Sequence, residues 1–183
     1  MIENQKILIE KAYEAGFEAE KAYGGCAQCT LIAVFKTLGI ENPSIVKAAS
    51  GLAGGGGRMC DGVCGGYSGG SLAMSLVFGR RASAMDADND DKITSMEMTV
   101  KLRETFIKEF GSVNCGDIHK KLFGRNYNMW SQIEIDQFNA DGAHEQKCTS
   151  TVGKAAAAAV KIILEEAEKR EMSLEDIRQK TTD

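Results

Sequence analysis

The chain has 183 residues, a length that suits one domain of about 150 residues better than two. Hydrophobic residues make up 43% of it and charged residues 26%, a globular composition that excludes a disordered or fibrous chain. Its 22 basic side chains are outnumbered by 26 acidic ones, so it lacks the basic surface that binds nucleic acid. We therefore expect residues 1–183 to form one domain with no nucleic-acid partner.

The first segment, MIENQKILIEKAYEAGFEAEKAYGG, is interrupted every few positions by Glu and Lys and contains no apolar signal region. No window approaches the roughly 20 apolar residues of a membrane span. These features predict a cytoplasmic protein without a membrane span. In that reducing compartment the six cysteines point to metal binding or thiol chemistry rather than disulfides, although free cysteines also serve as small buried apolar residues.

Apolar side chains recur at helical spacing over residues 9–23 and again over residues 27–38, after which Gly39 ends the pattern. The single proline, Pro43, suits the first turn of a third helix. That helix runs into a glycine-rich loop at residues 54–57. The first third of the chain is therefore predicted to hold three helices.

The small residues of segment 65–78 predict a buried, closely packed helix. In the next helix Ile93, Met96, Val100, Phe106 and Phe110 form the apolar pattern, and residues 111–147 look irregular apart from one or two helical turns after Cys115. A strong helix closes the chain over residues 152–167. Because alternating β patterns are scarce, we predict an all-α, single-domain helical bundle with cysteine-bearing, glycine-rich loops.

Two pairs of cysteines have the C-x2-C and C-x3-C spacing that lets two sulfurs reach one centre. The six are Cys26, Cys29, Cys60, Cys64, Cys115 and Cys148. Each pair lies beside glycines at a predicted helix start, where the helix dipole and free amide groups favour thiolates. Four thiolates suit a 2Fe-2S cluster. Spacing alone would also allow a zinc site of Cys26, Cys29, Cys60 and Cys64, or a thiol oxidoreductase that uses one pair.

The cysteines and their neighbours carry a resemblance to a known family. The segments concerned are GCAQ, ASGLAGGGGRM, VCGGYSGG, FGSVNCGDI and KCTSTVGKAA. Together they resemble the C_GCAxxG_C_C redox-active family, which includes the split-Soret cytochromes, over most of residues 20–165. The resemblance implies a helical fold and an iron-sulfur cluster, most simply 2Fe-2S, with Cys26, Cys64, Cys115 and Cys148 as ligands.

The chain also departs from the family pattern. Gly66 stands where the family has alanine, and Cys29 and Cys60 are additional cysteines that we expect within several ångströms of the metal centre, available as further ligands. Because Thr30 follows Cys29, the C-x-x-C-H motif of covalent haem is missing and no covalent haem is expected. We predict an electron carrier that serves redox partner proteins rather than a stand-alone enzyme. A thiol/disulfide redox protein and a structural zinc protein remain the alternatives.

Residues 86–97, DADNDDKITSME, partly match a calcium-binding loop. Asp86, Asp88, Asp90 and Glu97 occupy positions 1, 3, 5 and 12 of the template. However, Asp91 stands where that loop needs glycine for a sharp turn. We therefore favour an acidic start to the following helix, stabilised by the helix dipole, over a calcium site.

Polar surroundings predict that His119 and His144 are exposed surface residues, although either could replace a thiolate in a Rieske-like site. Tyr127, Trp130 and Phe138 are expected to form a small satellite core.

The closing helix carries a stripe of alanines, including the run 155–159, against which a partner helix could pack closely. Split-Soret proteins are dimeric. We therefore predict a homodimer.

Overall fold

Helices account for the ordered secondary structure of this protein. The computed structural model describes residues 2–86 and 90–181. In chain order the α-helices are α1 (Ile2–Tyr23), α2 (Cys26–Leu38), α3 (Pro43–Ala48), α4 (Gly65–Phe78), α5 (Asp90–Phe110), α6 (Cys115–Phe123), α7 (Gln132–Ala140), α8 (Cys148–Lys169) and α9 (Leu174–Gln179). Short 3-10 helices at Ala49–Leu52 and Ala82–Ala84 and a π-helical turn at Ala143–Lys147 lie between them. In these two stretches no strand forms beyond one isolated backbone bridge, so the predicted all-α fold is confirmed.

The main core lies between α1, α2, α4 and α8, with α5 packed against α4 and α8. Apolar side chains from these helices fill the core. The largest fully buried side chains are Phe78, Phe106, Leu31, Leu38, Met74, Met98, Leu102, Ile163, Ile177, Val34, Val152 and Val160. No helix in the described part of the chain is long and apolar enough to cross a membrane.

Small residues let the core helices approach closely. A Cβ atom on Gly69 of α4 would overlap the carbonyl oxygen of Ala27 in α2. A Cβ on Gly16 of α1 would lie 3.2 Å from the Cβ of Ala156 in α8. Ala155, Ala156 and Ala159 are fully buried within one chain. The chain itself thus covers these three alanines of the α8 stripe, whereas Ala157 and Ala158 remain partly exposed.

The predicted end of α2 at Gly39 and the predicted start of α3 at Pro43 are confirmed. Gly39 takes a left-handed φ of 72° and its N–H bonds to the carbonyl of Phe35, which ends α2. Pro43 occupies the first turn of α3, and the Asn42 side chain accepts a hydrogen bond from the N–H of Ile45. Local sequence therefore determines this connection.

The prediction of which side chains of α5 face the core is partly wrong. Ile93, Met96 and Val100 are about half exposed, at 50%, 53% and 52%. The helix instead buries Met98, Leu102, Phe106 and Phe110. Its sequence carries two apolar stripes, and the one that includes both phenylalanines faces the core.

Two of the residues in the calcium-loop match lie within α5. Asp90 is its first residue and Glu97 follows seven positions later, about 10 Å along the helix axis. Asp86 precedes the helix, and Asp88 lies outside the described residues. The acidic start of α5 agrees with the helix-dipole interpretation of this segment.

Segment 111–147 is more helical than the sequence indicated. The turns predicted after Cys115 form α6, but α7 was not predicted because its apolar pattern is weak: Ile133 is 82% exposed whereas Phe138 is buried. Helix α9 was likewise not predicted from the sequence. Ser173 and Asp176 form a capping box at its start.

Candidate metal centre

A cavity of about 610 Å³ lies where the ends of α1, α2, α4, α6, α7 and α8 meet. Four of the six cysteines line it: Cys26, Cys64, Cys115 and Cys148. These are the four residues that the family resemblance implied, and they come from widely separated parts of the chain. The fold thus brings them to one place.

Each of these four cysteines stands at the start of a helix. Cys26, Cys115 and Cys148 are the first residues of α2, α6 and α8, and Cys64 is the residue that caps α4. A helix start offers unpaired amide groups and the positive end of the helix dipole. The starts of α2, α4 and α6 therefore favour negative charge inside the cavity, whereas α8 continues from the preceding π-helical turn and its Cys148 N–H bonds to the Ala143 carbonyl.

Backbone amides bond directly to two of the sulfurs. The Gly54 N–H donates to Cys26 Sγ at 3.5 Å. Hydrogen bonds from the backbone of Gly66 and Tyr67 lower the pKa of Cys64. Such donors stabilise thiolate sulfur and tune the potential of a bound iron-sulfur cluster.

The Cys26 sulfur occupies space that is free because Gly65 has no side chain. A Cβ atom on Gly65 would overlap Cys26 Sγ and would lie 2.9 Å from the backbone nitrogen of Ala27. The start of α4 can therefore approach the start of α2 only because residue 65 has no side chain. This contact holds Cys26 beside Cys64.

The tetraglycine loop supplies the left-handed backbone between α3 and α4. Gly54, Gly55, Gly56 and Gly57 have φ angles of 62°, 75°, 86° and 56°, a run that side chains would strain. The loop ends at Cys60, which also has a positive φ of 62° and donates its N–H to the Gly54 carbonyl. The glycines thus fix both an amide near Cys26 and the position of Cys60.

Cys60, Cys115 and His119 form a buried cluster beside the cavity. The two sulfurs and one ring nitrogen of His119 all lie within 4.8 Å of one another. Cys60 Sγ is 3.9 Å from His119 Nδ1, and Cys115 Sγ is 3.7 Å from His119 Nε2. These three side chains are close enough to bind one metal ion.

Burial governs the ionisation of most of these thiols. It raises the pKa of Cys64 to about 11 and raises the pKa values of Cys26 and Cys148 well above the usual value for a thiol. The thiolate-favouring helix starts predicted from sequence are present, but the cost of burying charge outweighs them. Without a bound metal these thiols are protonated at neutral pH, and metal binding must release their protons.

Cys60 and Cys115 share a hydrogen bond that separates their pKa values. The Cys115 thiol donates to Cys60 sulfur, which lowers the pKa of Cys60 and raises that of Cys115. His119 also lowers the pKa of Cys60. Cys60 is therefore the thiol of this pair that ionises first.

Cys29 is buried beside the cavity without being one of its lining residues. Its thiol donates to the Gly24 carbonyl at 2.9 Å. Burial and the nearby Glu20 carboxylate raise its pKa to about 12. Of the two additional cysteines, Cys60 adjoins Cys115, and Cys29 packs against Cys26 on α2.

Glu20 and His144 add a polar wall to the cavity. Glu20 Oε1 lies 3.8 Å from His144 Nδ1, and Glu20 Oε2 and His144 Nδ1 are buried without a hydrogen-bond partner among the described residues. Burial raises the pKa of Glu20 to about 7 and lowers that of His144. Neither residue was selected from the sequence as part of a site.

The expectation of two exposed histidines is wrong for His119, which is 5% exposed. Its position four residues after Cys115 on α6 puts both side chains on one helix face, a signal the sequence did contain. Tyr127 and Phe138 form the predicted satellite core around it. Trp130 is 69% exposed instead and donates its indole N–H to the Gly57 carbonyl.

Comparison with known proteins identifies the family. The family model described as "Putative redox-active protein (C_GCAxxG_C_C)" matches residues 25–162, a segment that includes all six cysteines and both histidines. Curated proteins and solved structures give no match to the chain. The family match spans more than half of the sequence. The chain therefore belongs to the C_GCAxxG_C_C family of redox-active proteins.

Proposed function

We propose that this protein binds a 2Fe-2S cluster through Cys26, Cys64, Cys115 and Cys148 and passes single electrons between redox partner proteins. The observation that supports this most strongly is that all four cysteines line one cavity. A cluster with four thiolate ligands is anionic, and the helix starts at Cys26, Cys64 and Cys115 offset part of that charge.

The spacing of the sulfurs supports a binuclear cluster over one zinc ion at these four cysteines. Around a single tetrahedral ion all four ligand atoms lie close together. In the described part of the chain, the group that meets a mutual limit of 4.8 Å is Cys60, Cys115 and His119, and the four cavity cysteines do not. A binuclear cluster takes two thiolates per iron and so accepts a wider spread.

The residues around the cavity would hold and insulate the cluster. When bound, the cluster accepts or donates one electron. Gly65 gives the Cys26 sulfur its space, and the amide of Gly54 stabilises its negative charge. The apolar side chains of Met129 and Phe138 line the same cavity and limit the entry of water.

A zinc protein is the second candidate because Cys60, Cys115 and His119 already meet the distance requirement of a mononuclear site. This set differs from the one that spacing favoured, since Cys29 bonds to Gly24 instead of facing Cys60. Metal analysis of the purified protein distinguishes zinc from iron.

The test of the ligand set is a series of single serine substitutions in anaerobically reconstituted protein. Cys26→Ser, Cys64→Ser, Cys115→Ser and Cys148→Ser should each lose most of the iron and visible absorption, because a hydroxyl is a poor ligand for this cluster. Cys29→Ser is the matched control, a buried cysteine on α2 that should keep both signals. If Cys115→Ser and Cys148→Ser retain a full cluster while Cys29→Ser loses it, the ligand assignment is wrong.

A further inference from the structure

The proposed cluster does not use Cys60, although this thiol lies beside one of the proposed ligands. Its sulfur, the sulfur of Cys115 and one ring nitrogen of His119 are mutually within 4.8 Å. Two thiols at this separation can form a disulfide if their backbones are also adjacent.

Backbone hydrogen bonds hold the two cysteine segments side by side. The N–H of Gly116 donates to the Cys60 carbonyl at 2.8 Å, and the N–H of Cys115 donates to the Gly62 carbonyl at 2.9 Å. Gly116 has no room for a side chain, since a Cβ there would lie 2.7 Å from the Cys60 carbonyl oxygen. The two segments are thus already positioned for a covalent link.

The cavity gives small molecules a route to this pair of thiols. Cys115 and His119 line the cavity of about 610 Å³, and Cys60 adjoins both of them. A cavity of this size can admit a small organic molecule. A reagent that enters would therefore reach this pair of cysteines.

We propose that Cys60 and Cys115 form a dithiol site that low-molecular-weight disulfides oxidise when the cluster is absent. One of the two sulfurs attacks the small disulfide, forming a mixed disulfide and releasing the first thiol. The other sulfur then attacks the protein side of that mixed disulfide, forming the Cys60–Cys115 bond and releasing the second thiol. Each protein thiol gives its proton to a departing thiolate, and His119 contacts both sulfurs and can relay it. The protein loses two electrons and the small disulfide gains them.

This reaction would control cluster loading, a consequence that rests on the proposed function. Cys115 cannot bind iron while it is bonded to Cys60. Oxidised protein would then not bind the cluster until a reductant restored both thiols.

The test of the disulfide uses cluster-free protein incubated anaerobically with excess glutathione disulfide, followed by alkylation of free thiols and peptide mapping by mass spectrometry. The major linked pair should be Cys60–Cys115, both in the wild type and in the matched control Cys29→Ser. In Cys60→Ser and in Cys115→Ser the reaction should stop one step earlier, leaving glutathione bonded to the cysteine of the pair that remains. Absence of a linked pair, or a main link of Cys26 to Cys29 or of Cys60 to Cys64, would overturn the proposal.

Iron uptake separates this proposal from the proposed function. Reduced wild-type protein should accept iron and sulfide, oxidised protein should lose most of that uptake, and a dithiol reductant should restore it. If the link forms but reduced protein takes up no iron, the cluster proposal fails while the dithiol site stands. If oxidised protein loads as fully as reduced protein, the control of loading is refuted.

Discussion

Gly65→Ala tests whether the close approach of α4 to α2 shapes the metal centre. The new Cβ would overlap Cys26 Sγ and lie 2.9 Å from the Ala27 nitrogen. Rotating the cysteine side chain relieves the first contact but not the second, because the second involves backbone. The two helix starts would have to separate.

An added methyl group that forces the backbone to move in a well-packed core lowers the free energy of unfolding by about 1–3 kcal/mol. Alanine gains at most about 1 kcal/mol over glycine in helix propensity. Gly66→Ala is the matched control, since it has the same propensity gain and its Cβ would meet Ala155 Cβ at 3.1 Å, a contact that a small shift relieves. The difference between the variants should be about 2 kcal/mol, or roughly 4–8 °C in Tm.

Thermal unfolding of the cluster-free variants measures this difference, and reconstitution measures its effect on the site. Gly65→Ala should melt below Gly66→Ala and should bind less iron, because Cys26 is displaced. Equal melting temperatures together with equal iron contents would refute the role assigned to Gly65.

Two further predictions concern groups outside the ligand set. Because burial raises the Glu20 pKa from 4.5 to about 7, ionisation destabilises the folded, cluster-free protein increasingly as the pH rises between these values. In denaturant titrations Glu20→Gln should therefore match the wild type below pH 4.5 and gain about 3 kcal/mol above pH 7, at about 1.4 kcal/mol per pH unit; a gain that does not change with pH would contradict this. Arg170, bonded to Asp91 at 3.1 Å and Glu166 at 2.9 Å, joins α8 to α5, so Arg170→Met should cost about 1 kcal/mol in low salt and less in high salt. Lys6→Met, in an exposed pair, is its control and should change stability little; equal effects would refute the difference.

Local signals made much of the fold predictable. Gly39 and Pro43 mark their helix boundaries directly, and the small residues of α4 indicated its close packing. The helix over residues 132–140 was not predicted because it buries few side chains and its sequence therefore shows little periodicity. The buried face of α5 was predicted only in part. Its sequence contains two apolar stripes, and packing against the neighbouring helices, which periodicity does not reveal, determines which stripe is buried.

The candidate site was less predictable than the fold. Spacing paired Cys60 with Cys64, but the left-handed tetraglycine loop turns Cys60 toward Cys115 and His119 instead. That partnership is a long-range contact, which no local pattern reveals. The expectation that the helix starts would lower the thiol pKa values was also wrong for Cys26. Sequence alone does not show how deeply this cysteine is buried, and its burial raises the pKa.

Iron and acid-labile sulfide analysis of the anaerobically purified protein, combined with its visible absorption, tests whether the chain holds a 2Fe-2S cluster. We predict two irons and two sulfides per chain, with absorption that bleaches when one electron is added. A colourless protein that still takes up no iron after reconstitution, or one that holds stoichiometric zinc in its place, would contradict it.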